Sequence, residues 1–174
     1  MGRKWILAIG FCFIFSVAFG ETHPAFPHRY IEEQKQENSL AGLKGVSVDV
    51  KIGLAREGPT KHRLQSLVEQ TLREGGVHVE GVVEEQVEGR DQPPSFCVEV
   101  AVFKGVKDYH HFFVTARLYQ QVSLTRNQQL TPSAITWTLE SMGAGNIDNI
   151  YDRVEEVTTI FVKDYQRVNS VKFQ

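Results

Sequence analysis

The segment GVSVDVKIGLAREGPTKHRLQSLVEQTLREGG, residues 45–76, changes its hydrophobic period partway along, and that change sets the fold class. Val46, Val48, Val50, Ile52 and Leu54 alternate with Ser47, Asp49, Lys51 and Gly53. A period of two puts the first set on one side of a strand and the second set on the other. Gly58-Pro59 breaks the pattern, and Thr60 is placed to cap a helix. Leu64, Leu67, Val68 and Leu72 then recur at helical spacing, until Gly75-Gly76 stops the helix as a glycine at C′ does. A strand and an amphipathic helix that follow each other so closely have one solution in common, which is to bury their apolar sides together.

Downstream the period returns to two. Val77, Val79 and Val82 through Val87 predict a second strand, bent at Gly81. The loop EGRDQPP, residues 88–94, carries turn chemistry. Phe96, Val98, Val100 and Val102 begin a third strand, and residues 105–108 connect it to a fourth over about 111–125. In the fourth, Phe112, Val114, Ala116, Leu118, Val122 and Leu124 mark one face. Phe113, Thr115, Arg117, Tyr119, Gln121 and Ser123 mark the other. A fifth strand spans 134–141, with Ile135, Trp137 and Leu139 pointing to the core and Ala134, Thr136, Thr138 and Glu140 away from it. Gly143 and Gly145 end it, and Asn146 or Asp148 caps the last helix. There Ile147, Tyr151, Val154, Thr158, Phe161, Tyr165 and Val168 recur at steps of three and four, an apolar stripe along about six turns.

The expected order is therefore β-α-β-β-β-β-α. The first crossover is right-handed and the short later loops make antiparallel neighbours. Both helices cover one face of a mixed, mostly antiparallel sheet, giving a two-layer α+β sandwich.

Upstream of the strand the chain reads differently. Residues 1–20 have a basic start at Arg3 and Lys4, an apolar run over 5–19, and small residues Ala18 and Gly20 before Glu21. This is a secretory signal peptide, and the run is shorter than the roughly 20 residues that span a bilayer, so no stable transmembrane segment is expected after cleavage. An uncleaved leader retained as an anchor is the alternative. Cys12 follows Phe11 among bulky residues, unlike an acylated cysteine. Residues 21–43, with two prolines, many charges and no period, read as a flexible tether, and residues 44–174 as a single α+β domain. The expected location is exported, periplasmic or secreted.

The leader carries two basic residues and no acidic ones, so its removal takes the formal charge from −2 to −4. A mildly acidic domain has no electrostatic reason to seek nucleic acid. Cys97 remains as the one cysteine of the mature chain, so no internal disulfide forms. It reads as a small buried hydrophobe in the run 96–103, with an intermolecular disulfide as the alternative.

Few residues carry candidate chemistry. His110 and His111 are adjacent, so on a strand they point to opposite faces, and a metal site would need further ligands such as His78 or Glu80. Nucleophile motifs do not occur, and Gly143-Ala144-Gly145-Asn146 lacks the Lys-Ser/Thr of a phosphate loop. No catalytic residue, metal ligand or cofactor is assigned. The sheet face left uncovered by the helices is the candidate partner surface, with Phe113, Arg117, Tyr119 and Gln121 on it, because tyrosine and arginine anchor interfaces.

Four stretches carry a resemblance: GVSVDVKIG (45–53), LQSLVEQTLREGGV (64–77), AITWTLES (134–141) and IFVKDYQRVN (160–169). They resemble a type of small exported bacterial envelope protein. At fold level the chain is similar to the amino-terminal domain of the TolB translocation protein, the curli-assembly lipoprotein and lipoprotein activators of cell-wall synthases. That resemblance implies a domain that binds proteins and does no chemistry. The expected function is a non-enzymatic exported accessory or adaptor domain for another envelope protein. Two alternatives remain: a carrier holding a small molecule or lipid between helices and sheet, and a metal protein or enzyme using His110 and His111.

Overall fold

The computed structural model describes residues 38–53, 59–80, 93–105, 107 and 109–170. Strands β1 (Val46–Gly53), β2 (Val79–Glu80), β3 (Ser95–Lys104), β4 (His110–Gln121) and β5 (Ser133–Gly145) join helices α1 (Lys61–Glu74) and α2 (Ile147–Asn169) in the expected β-α-β-β-β-β-α order. One five-stranded sheet forms, in the order β2-β1-β3-β4-β5. β1 runs parallel to both β2 and β3, while β3–β4 and β4–β5 are long antiparallel ladders. β2 and β3 are thus not hairpin neighbours, as short connections had suggested, but flank β1 on its two sides. The rest of the expected second strand, and the turn-rich loop after it, lie outside the described residues.

Strand alternation divides the sheet cleanly. Val46, Val48, Val50, Phe96, Val98, Val100, Val102, Phe112, Val114, Ala116, Leu118 and Trp137 all reach the side where α1 and α2 lie, and all join one core cluster. From α1 come Leu64, Val68 and Leu72; from α2 come Ile150, Tyr151, Val154, Val157, Phe161 and Val162. Phe161 packs tilted against Phe96 at 4.4 Å and meets Trp137 edge-on at 5.0 Å between ring centroids. Aromatic side chains of this size fill the space between helices and sheet.

The caps follow the sequence. Thr60 Oγ1 accepts from the Arg63 amide at the start of α1, and Gly76, at φ 80°, makes the turn that ends it. Asn146 and Asn149 form a reciprocal capping box at the start of α2. The strand before it runs further than expected, through Gly143 to Gly145. A Cβ at Gly143 would sit 2.5 Å from ring carbons of Phe112, so the glycine lets β5 pass close over that ring and stay paired.

Two differences from the sequence reading matter. β4 ends at Gln121 rather than near Thr125, and the chain closes through an isolated bridge between Leu124 and Asn127. The folded region also starts earlier than residue 44. Leu40 is fully buried and Leu43 nearly so, both within the core. Ser39 Oγ donates to the Thr136 carbonyl, and the Asn169 side chain closes a pair of bonds by donating to the Leu40 carbonyl and accepting from the Gly42 amide. Apolar residues at 40 and 43 have helical rather than alternating spacing, which is why they escaped a reading that looked for strands.

Candidate functional site: the open face of the sheet

The side of the sheet opposite the helices presents five rows of side chains, each row crossing the strands. Ser47, Ser95, Tyr119 and Ile135 form the first; Asp49, Cys97, Arg117 and Thr138 the second; Lys51, Glu99, Thr115 and Glu140 the third. Gly53, Ala101, Phe113 and Met142 form the fourth, and Phe103, His111 and Ala144 the fifth. Polarity therefore changes along the face, from a charged middle to an apolar end.

Phe113, Arg117 and Tyr119 stand on this face as expected, and strand alternation puts Gln121 beyond them at the hairpin end. Arg117 lies between two carboxylates, 3.6 Å from Glu99 Oε2 and 3.8 Å from Glu140 Oε1. Lys51 and Asp49 pair at 3.6 Å. Exposed pairs at these distances each contribute about 0–1 kcal/mol, so these charges are free to re-pair without much loss of stability.

The apolar end was mostly missed by sequence reasoning. Phe103 and Phe113 meet edge-to-face at 6.0 Å, and Tyr109 and His111 do the same at 5.7 Å. Phe113 is 47% exposed and Met142 54%. Met142 was lost because β5 was expected to stop at residue 141. Phe103 follows from continuing the β3 alternation one step further.

The bulge in β5 corrects the other placements. Leu118 pairs with Trp137 but Tyr119 pairs with Ile135, so Thr136 is an extra residue. Its hydroxyl bonds to Gln120 Oε1 at 2.7 Å. One extra residue inverts the alternation before it. Ile135, expected in the core, therefore stands half exposed beside Tyr119, while Thr138 and Glu140 keep their expected face.

Cys97 is buried, as expected, but on the open face, between Asp49 and Arg117. Burial pushes its thiol pKa up; Lys51 opposes that shift, and Asp49 and Glu99 add to it. Such a thiol is protonated and poorly nucleophilic at neutral pH.

The histidines separate. His110 faces the helix side opposite Gly145, is 5% exposed, and its Nδ1 has no hydrogen-bond partner among the described residues. His111 faces the other way, opposite Ala144. His78 precedes the far edge strand β2, at the other end of β1, so it lies across the sheet from both. Among the described residues, no group of three or more His, Cys, Asp or Glu is placed to hold a metal ion. Nor is any described helix long and apolar enough to cross a membrane.

No protein-family model matches the chain, and no curated protein matches it. Solved structures do. A PelC dodecamer from Paraburkholderia phytofirmans, carrying a single leucine-to-methionine substitution, is 18% identical, with a TM-score of 0.44 over 68% of this chain and 89% of its own. A minor lipoprotein from Acinetobacter baumannii is 13% identical, with a TM-score of 0.29 over 72% and 91%. The rare lipoprotein B from Shewanella oneidensis is 9% identical, with a TM-score of 0.27 over 70% and 91%. The expected likeness to envelope proteins thus stands as a weak similarity to lipoprotein structures, with no specific family, and no residue role transfers from them.

Proposed function

We propose that this chain is an exported, non-enzymatic accessory domain that binds another protein of the cell envelope through the open face of its sheet. In this reading residues 1–20 are a secretory leader, the segment before residue 38 is a tether, and the α+β domain is the working part. No catalytic residue and no cofactor is assigned.

The apolar end of the open face carries the reading. Phe103, Tyr109, Phe113 and Met142 are each about half exposed and crowd one end of a face whose middle is charged. Exposed apolar side chains gathered in one place, rimmed by polar groups, mark interaction surfaces. The neighbouring Arg117 and Tyr119 are of the types that dominate binding energy, and the ion-paired rows beside them provide orientation and selectivity.

The test is capture of partners by the tagged chain lacking residues 1–20, from its own envelope extract, with mass spectrometry. A stoichiometric partner retained by the unmodified domain and lost with Phe113→Ser, Arg117→Ala and Tyr119→Ala combined is the expected result. A partner held equally well by that triple variant would move binding off this face.

A further inference from the structure

The adaptor reading leaves open what the partner presents, and the edge of the sheet bears on that. We propose that residues 139–145, on the outer side of β5, take up an extended strand of the partner protein. That strand has an apolar side chain beside Met142 and a basic one beside Glu140. This rests on the adaptor reading and names the partner's chemistry.

β5 is the terminal strand of the sheet, paired along one side with β4. Alternate amides and carbonyls of a terminal strand point away from the sheet and can template another strand. Soluble proteins commonly blunt such an edge with lysine, proline or a bulge. The β5 sequence SAITWTLESMGAG has no lysine, arginine or proline, and its single charged residue is Glu140. Its bulge lies at Thr136, the end held by Ser39, whereas residues 139–145 pair with β4 in unbroken register.

Two side-chain features select the strand that would fit. The row Ala101, Phe113, Met142 runs outward across the sheet and ends at the edge on a half-exposed thioether. An apolar residue on an added strand continues that row, as cross-strand pairs do within sheets. One row away, the Glu140 carboxylate is 72% exposed, with Arg117 no nearer than 3.8 Å. A lysine or arginine on the added strand pairs with it directly. A second copy of this chain brings another Glu140 and a net negative charge to the same place, so the charge favours a different, basic partner.

The experiment uses the chain without residues 1–20, labelled with nitrogen-15. The probe is a nine-residue peptide, blocked at both ends, of threonine alternating with valine, with one valine replaced by lysine. A matched peptide carries glutamate in place of that lysine. The lysine peptide is expected to bind saturably, at least fivefold tighter than its glutamate counterpart, and to shift the amide signals of residues 139–145. Glu140→Lys is expected to invert the preference, and Met142→Lys to weaken both peptides tenfold or more. Both positions are exposed, and an unchanged melting temperature verifies folding. Failure of the lysine peptide to bind, signals shifted elsewhere, or a lysine preference that survives Glu140→Lys would overturn the proposal. So would concentration-dependent dimerisation abolished by Met142→Lys, which would assign the edge to a second copy. An envelope partner captured by Met142→Lys but lost with the triple variant of the open face would remove the edge proposal and leave the adaptor reading standing. Edge binding with no captured partner would do the reverse.

Discussion

Trp137 ties α2 to the sheet through a single polar atom. Its indole N–H donates to Asp164 Oδ2 at 3.1 Å, and Arg167 bonds the other carboxylate oxygen at 3.3 Å. Asp164 is 4% exposed, so losing the indole donor takes a hydrogen bond from a buried carboxylate. Trp137→Phe is expected to destabilise the domain by about 1–3 kcal/mol beyond the loss of ring area, read from the denaturant midpoint. Asp164 could be suspected from sequence only as a polar residue three positions after Phe161, within reach of the apolar stripe. Cys97 makes a second prediction. Its unfolded thiol ionises near the ordinary 9.0, and burial delays ionisation in the folded state. Above about pH 9 the unfolded chain therefore binds fewer protons than the folded one, so stability falls as pH rises through that range and is fully retained below it. Denaturation followed from about pH 8 to about 10.5 should show this fall, and Cys97→Ala should flatten it.

Among the elements, β5 departs most from its sequence reading, and for two physical reasons. Glycine normally ends a strand, yet Gly143 is kept in the ladder because Phe112 occupies the volume where a Cβ would be. Gly143→Ala is expected to cost about 1–3 kcal/mol by overpacking against that ring, while Ala144→Ser on the exposed side should leave the melting temperature unchanged. The bulge at Thr136 is the other reason, since no composition rule announces where an extra residue will be accommodated. By contrast β1, α1 and α2 were legible almost to the residue, because each couples a strong period to a cap or breaker at one end or both. Asn146→Ala should remove the capping box of α2 and lower stability by about 0.5–2 kcal/mol in thermal denaturation.

At the scale of the whole molecule, the two-layer architecture was readable because apolar alternation in four strands and stripes on two helices all point to one core. The strand order was not, because the connection from β2 to β3 carries no periodic signal for which side of β1 the chain will join. The candidate face was legible at Phe113, Arg117 and Tyr119, while the rest of its apolar end, Phe103, Tyr109 and Met142, was not, because it is assembled from separate segments of the chain. The early boundary of the domain has a direct check. Leu40→Ala should destabilise by about 2–5 kcal/mol, and a chain beginning at residue 44 should melt at a lower temperature than one beginning at 38. The bonds of Ser39 and Asn169 fix where the polypeptide comes into the body: beside Thr136, level with Tyr119 on β4. Phe113 and Met142 lie six residues further along β4 and its partner, about 20 Å away at the rise of a strand. Any anchorage through the leading segment would thus hold the body at the end opposite Phe113 and Met142. Whatever that segment is joined to, the rigid sheet keeps Phe113 and Met142 about 20 Å from the junction.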